Sequence, residues 1–107
     1  MPSEPDTLFP GEALYPDQGL TSTNSEYRLV YQGDGNLVLY SYGTPLWASN
    51  TGGTAAGQAV MQHDGNFVVY DAYWNALRAS NTDGYDGARL VFQNDGNVVI
   101  YTPSSDG

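Results

Sequence analysis

The sequence predicts an all-β domain made of three like units packed around a shared apolar axis. The first observation is repetition. Gln32-Gly33-Asp34-Gly35-Asn36-Leu37-Val38-Leu39-Tyr40 returns as Gln62-His63-Asp64-Gly65-Asn66-Phe67-Val68-Val69-Tyr70 and as Gln93-Asn94-Asp95-Gly96-Asn97-Val98-Val99-Ile100-Tyr101. The starts (32, 62 and 93) lie 30 and 31 residues apart, a period that marks a repeat architecture. The second is turn chemistry. With 13 Gly and six Pro and no apolar stripe at helical spacing, the chain reads as short strands joined by many turns.

The third observation comes from reading the copies against one another. Gln, Asp, Gly, Asn, Val and Tyr are identical in all three, whereas the residues flanking the Val vary only among apolar types. Successive side chains of a strand point to opposite faces. The apolar face that varies behaves as a core. The polar face that does not vary has some other purpose, and a solvated sheet with turn chemistry explains its Asp, Gly and Asn but not its Gln and Tyr. Each unit is too small to bury its own apolar face, so three must pack together. Leu37, Leu39, Met61, Phe67, Val69, Phe92, Val98 and Ile100 are expected to fill the axis.

In chain order, residues 1–6 are polar and Pro-rich and are expected to fray. Thr7 to Leu14 reads as a short strand, a Pro-Gly turn and a second short strand, and Asp17-Gln18-Gly19 as a turn. Thr21 to Glu26 is a polar loop, and Tyr27 to Tyr31 enters the first hairpin. Asp-Gly-Asn is its turn, because Gly supplies positive φ and Asx side chains stabilise turns locally. A turn at Ser41 to Pro45 leads into a strand over Leu46 to Thr51. Gly52 to Gly57 links to Ala59-Val60-Met61 and the second hairpin, whose flanking strand, Leu77 to Thr82, repeats the ending Ala-Ser-Asn-Thr. Gly84 to Gly87 is a loop, Ala88 to Phe92 enters the third hairpin, and six residues follow Tyr101. The whole is one domain with repeats over about 27–51, 59–82 and 88–107.

Charge removes several functions. The formal net charge is −9, from 12 acids against Arg28, Arg78 and Arg89, with no Lys. A phosphate backbone or an anionic membrane surface would be repelled, and no run is long enough to cross a membrane. With no Cys, disulfides, thiol catalysis and Cys-based zinc sites are excluded. Met1 to Asp6 has neither the basic nor the apolar stretch of a signal peptide.

Catalysis is not expected. A glycosidase needs two carboxylates flanking the bond, and each repeat offers one acid with an amide neighbour. A calcium loop needs alternating oxygen ligands and a distal Glu, so no metal and no cofactor is expected. His63, the only His, falls at the free position after Gln and reads as an exposed turn residue. The repeated polar set suits a different task. A carboxylate accepts from hydroxyls, amides donate and accept, and a phenol does either. Cross-strand neighbours are ~5 Å apart, so these groups converge on a shallow spot suited to a neutral ligand with fixed hydroxyl stereochemistry.

The motif Q-x-D-x-N-x-V-x-Y in three copies, each of the first two followed by a strand like Leu-Trp-Ala-Ser-Asn-Thr, resembles that of the bulb-type (monocot) mannose-binding lectins. Asp6 to Leu14 is similar to their N-terminal strand, and the resemblance runs from residue 6 to about 101. It implies a β-prism II fold, three antiparallel four-stranded sheets about a pseudo-threefold axis. It implies calcium-free sites for mannose and mannosylated glycans at Gln32, Asp34, Asn36, Val38 and Tyr40; at Gln62, Asp64, Asn66, Val68 and Tyr70; and at Gln93, Asp95, Asn97, Val99 and Tyr101. Asp and Asn would hold the axial 2-hydroxyl, Gln O3, Tyr O4, and Val the ring carbons. It also implies a homodimer made by exchanging a C-terminal strand, which in this sequence is missing or cut off.

Two further departures concern single residues. Trp47 matches the Trp that family members place on the axis, but Arg78 stands at that position in the second repeat, with Trp74 four residues before it. The absence of Cys, where many plant members have a disulfide, points towards a bacterial or other non-plant member. A glycan ligand would place the protein where extracellular or cell-surface glycans are met. The alternative function is a β-prism module that engages a protein partner, as bacteriocin-like and taste-active relatives do.

Overall fold

The structure, a computed structural model, describes residues 5–102. Among these, eleven short strands form three antiparallel sheets. The first hairpin pairs β4 (Tyr27–Tyr31) with β5 (Leu37–Ser41), the second β7 (Ala56–Met61) with β8 (Phe67–Asp71), and the third β10 (Arg89–Phe92) with β11 (Val98–Tyr101). The loop that follows supplies an outer strand to each of the first two: β6 (Thr44–Ala48) beside β5, and β9 (Ala76–Ala79) beside β8. This is the three-sheet arrangement that the sequence predicts.

The N-terminal segment completes all three sheets. β1 (Thr7–Leu8) pairs with β10, β2 (Ala13–Leu14) with β7, and β3 (Gln18–Thr21) with β4. One stretch of chain thereby visits every face of the prism. Only two residues pair in β1 and two in β2, too few for any alternation to show in the sequence, and β3 falls where a turn and loop are expected. Pro5 and Asp6, expected to fray, are tied in by their carbonyls, which accept the Thr21 and Phe92 N–H groups at 2.8 and 2.7 Å. Residues 1–4 of that expectation, and 103–107 of the third repeat, lie outside the described residues.

The core sits on the shared axis. Leu37, Met61, Val69 and Phe92 are buried there as expected, and Leu39, Phe67 and Ile100 pack half-buried against them. Most of the remaining volume comes from residues that the motif does not mark: Leu8, Leu14, Leu20, Leu29 and Leu90. Tyr31, Met61 and Phe92 hold one position in the three repeats, directly before the Gln, and all are at most 1% exposed. Burying such a side chain contributes roughly 1.5–3 kcal/mol.

Two expectations fail at one end of the axis, those for Val98 and Trp47. The third sheet has three described strands instead of four. The outer strands of the first two sheets start four and six residues after the Tyr (44 after 40, 76 after 70), which corresponds here to about 105–107, outside the described residues. Val98, at the start of β11, is 41% exposed instead of filling the axis. Trp47, paired across from Leu39, is 45% exposed at the same open end. The Arg78 guanidinium lies 5.9 Å from the Trp47 ring centre and donates to the Ser49 carbonyl at 3.2 Å.

Tyr31 does more than fill space. Its buried hydroxyl donates to the Tyr70 carbonyl at 3.2 Å and accepts the Gly57 N–H at 2.8 Å, tying the first sheet to the second. Burial, foremost, pushes its phenol above the ordinary range; the Gly57 N–H acts the other way. The folded state therefore prefers the neutral phenol, and its contribution is intact below the ordinary phenol pKa of about 10 and is lost as pH rises beyond it. Tyr31→Phe is expected to lower stability by about 1–3 kcal/mol, by leaving two buried groups unpaired. It should also flatten the loss of stability above about pH 10, measured by chemical denaturation across pH.

Candidate functional site

Each repeated motif folds as the same turn. The Gln backbone N–H donates to the Asn carbonyl at 2.8, 2.9 and 2.8 Å, and the Gly N–H to the Gln carbonyl at 3.0, 3.2 and 3.0 Å. The Gly residues have φ of 89, 94 and 86°, a left-handed backbone that other residues rarely adopt. The Asp carboxylate accepts the Asn N–H through Oδ1 at 2.9, 2.9 and 3.0 Å. That bond orients the Asp and leaves Oδ2 of Asp34 and Asp64 open.

The Gln side chain is held just as specifically. Its Nε2 donates to the Tyr hydroxyl in all three repeats: Gln32 to Tyr40, Gln62 to Tyr70 at 2.5 Å, and Gln93 to Tyr101 at 2.5 Å. The phenol accepts there, so its own hydrogen is free to donate outward, and the Gln Oε1 is free to accept.

The Asn is oriented by a segment that the motif does not contain. Asn36 Oδ1 accepts from Ser49 Oγ at 3.1 Å and from the Thr51 N–H at 3.2 Å. Asn66 Oδ1 does the same with Ser80 and Thr82, both at 3.2 Å. Thr51 Oγ1 donates to the Gly35 carbonyl at 2.6 Å, and Ser49 Oγ also accepts the Leu37 N–H at 3.0 Å. With its oxygen clamped, each of these Asn residues presents Nδ2 as a donor. The duplicated Ala-Ser-Asn-Thr is the sequence signal for this clamp. Its Asn residues, Asn50 and Asn81, take the left-handed φ of 61 and 60° that returns the chain to the turn.

The third copy differs. No Ser-Asn-Thr segment reaches Asn97 among the described residues. Its Nδ2 donates instead to Asp95 Oδ2 at 3.1 Å, so the donor and acceptor that face outward elsewhere satisfy each other. The Val residues differ too. Val38 and Val68 are 4% and 2% exposed, because Ala48 and Ala79 of the outer strands pair across from them, whereas Val99 is half-buried. In the first two sites Val is a floor that offers little surface.

The charges around the sites are uneven. Opposite the motif Tyr, in register, stand Arg28 for Tyr40, Gln58 for Tyr70 and Arg89 for Tyr101. The Arg89 guanidinium lies 5.4 Å from the Tyr101 ring centre. Among the described residues, no three His, Asp or Glu side chains gather as a metal site would require. The first two motifs thus each present an acceptor on Asp, a donor on Asn, an acceptor on Gln and a donor on Tyr. That is a set for hydroxyl groups and carries no acid–base pair.

Known proteins share this arrangement of chain. The mannose-specific agglutinin from snowdrop (Galanthus nivalis) bulbs, solved with methyl-α-D-mannoside, superposes with a TM-score of 0.85 at 40% identity, over 92% of this chain and 91% of that one. A structure described as a monomeric monocot mannose-binding lectin from Gastrodia elata matches at 41% identity and a TM-score of 0.85, over 94% and 90% of the two chains. The mannose-specific lectin of Narcissus pseudonarcissus is 47% identical over 64 residues, 59% of this chain and 57% of that protein. A second Narcissus lectin is matched over 45% of its length, so the chain spans about half the length of the curated relatives it matches. No protein-family model matches the chain.

Proposed function

Since the chain belongs to the bulb-type mannose-specific lectins, we propose that it is a non-enzymatic lectin for mannose and mannose-bearing glycans, bound at the repeated motifs. One observation carries the assignment of the sites. At the first two motifs, every polar side chain spends one group on holding its neighbour and has the other free towards a common spot. A mannose there would set its axial 2-hydroxyl between Asp Oδ2 and Asn Nδ2, its O3 at the Gln amide and its O4 at the Tyr hydroxyl. A sugar with a misplaced hydroxyl would leave one of these groups unpaired, a penalty of about 1–3 kcal/mol.

The Gln32–Tyr40 and Gln62–Tyr70 sites are the working pair. The Gln93–Tyr101 site is the weak one, since Asn97 and Asp95 engage each other. An open site of this kind binds one sugar at roughly millimolar strength, about −4 kcal/mol; useful avidity comes from several sites meeting one branched glycan. Calorimetric titration with methyl α-mannoside, against the glucose and galactose analogues, should give weak mannose-selective heat with a stoichiometry near two. No heat from any sugar in the folded protein would overturn the reading and favour a protein partner.

Ser49→Ala tests the clamp. It leaves the Leu37 N–H unpaired and removes one of the two bonds that hold the Asn36 amide oxygen, leaving the Thr51 N–H alone to orient it. Stability should fall by about 1–3 kcal/mol, and the stoichiometry should drop from about two towards one.

The homodimer that the resemblance implies finds support in the apolar rim of Trp47 and Val98, which line one depression and are 45 and 41% exposed. A monomer in sedimentation equilibrium, the state named for the Gastrodia elata relative, would overturn it. The sources of the relatives named above lend no support to the bacterial or other non-plant origin that the missing disulfide suggests.

A further inference from the structure

The second site has an aromatic wall. Trp74 stands in the hairpin between β8 and β9, 67% exposed, with its indole edge-to-face against Tyr70 at 5.6 Å and 63°. Neither Tyr40 nor Tyr101 has an aromatic ring partner among the described residues.

The backbone that carries the indole is fixed by the turn itself. Trp74 has φ 65°, a left-handed backbone that suits Gly or Asn and is an outlier for a bulky side chain. Asp71 imposes it. Its Oδ1 accepts the Tyr73 and Asn75 N–H groups, both at 2.9 Å, its Oδ2 accepts from Asn75 Nδ2 at 3.0 Å, and its carbonyl accepts the Trp74 N–H at 3.1 Å. The bond from the Asn75 side chain, foremost, holds the Asp71 carboxyl below the usual carboxylate range.

Gln58 is the second peculiarity of this site. At the position where the other two sites carry Arg28 and Arg89, it offers a neutral amide able to donate to and accept from hydroxyls. A cleft of about 510 Å³ runs from Asp64 and Gln62 past Tyr70 to Gln58 and Trp74. Clefts of about 300–1,000 Å³ hold ligands of drug size, which is the size of a disaccharide. Beyond the indole lies a smaller depression edged by Tyr15 and Asp71.

The geometry points to a second sugar subsite joined to the Gln62–Tyr70 site. The pyranose next to the bound mannose of an oligomannoside lays its C–H face on Trp74 and sets a hydroxyl against the Gln58 amide. The subsite rests on the mannose reading above and gives the second site a preference for chains over single sugars. Preorganisation of the turn that carries the indole spares the ordering cost that a mobile loop would add.

The test is calorimetric titration of the intact chain with methyl α-mannoside and with α-linked dimannosides. The wild-type protein should bind one dimannoside linkage about tenfold more tightly than the monosaccharide, at one site per chain. Trp74→Asn, which suits the left-handed backbone, and Gln58→Arg, which restores the residue type of the other sites, should each bring that ratio towards unity. In a Trp47→Phe background Trp74 is the sole indole, and its emission should shift with the dimannoside but not with methyl α-mannoside. An unchanged ratio in both variants overturns the subsite. So does a wild-type ratio near unity while methyl α-mannoside still binds. Absence of binding by either sugar overturns the mannose reading itself, and the subsite with it.

Discussion

Replacing Asp34, Asp64 and Asp95 together by Asn is expected to abolish retention on immobilised mannose while leaving the fold intact. Asn keeps an acceptor oxygen for the N–H that each Asp Oδ1 caps in its turn, but places an NH₂ where the outward carboxylate oxygen was. The charge-assisted bond to a sugar hydroxyl, worth about 1.5–3 kcal/mol, is lost. From a starting strength of about −4 kcal/mol per site, that leaves no measurable binding. Ala is the poorer choice. It would remove the cap as well, at about 0.5–1.5 kcal/mol per turn, and three such losses are a large share of the 5–15 kcal/mol that holds a typical domain. Retention on the mannose column by the folded triple variant would place the sugar elsewhere. Among the single variants, Asp95→Asn should matter least, because Asp95 already spends its second oxygen on Asn97.

Phe92→Ala should produce the largest loss of stability. Phe92 is 1% exposed, belongs to the axis cluster, and meets Tyr27 of the first sheet edge-to-face at 6.5 Å. Truncating a buried Phe costs about 3–5 kcal/mol. At about 4–8 °C per kcal/mol for a domain of this size, the melting temperature should fall by roughly 12–40 °C. Phe67→Ala is the control, since Phe67 is only half-buried beside the open end of the axis and should cost clearly less. Equal losses in the two variants would mean that the axis is not what holds the three sheets together.

Sequence and tertiary structure divide the protein between them along a physical line. What depends on neighbours in the chain was legible. Asp-Gly-Asn makes its turn with its own atoms, alternation assigns Leu37 and Leu39 to one face and Tyr40 to the other, and a period of about 30 residues implies threefold packing. The resemblance added the name of the fold and of the sugar. What depends on distant chain was not legible. Two-residue strands such as Thr7–Leu8 have no pattern, because their pairing is decided by the sheets they complete. The Ser-Asn-Thr clamp sits 13 residues or more from the Asn it orients, so the repeat of those letters could be seen but not its purpose. Val98 has the sequence of an axis residue, yet only the strands beside it decide whether it is covered. The three motifs read as equals in the sequence. Tertiary structure makes them unequal, because the side chains that complete a site come from outside the motif: Ser49 and Thr51 for the first, Ser80, Thr82 and Trp74 for the second, and no described counterpart for the third.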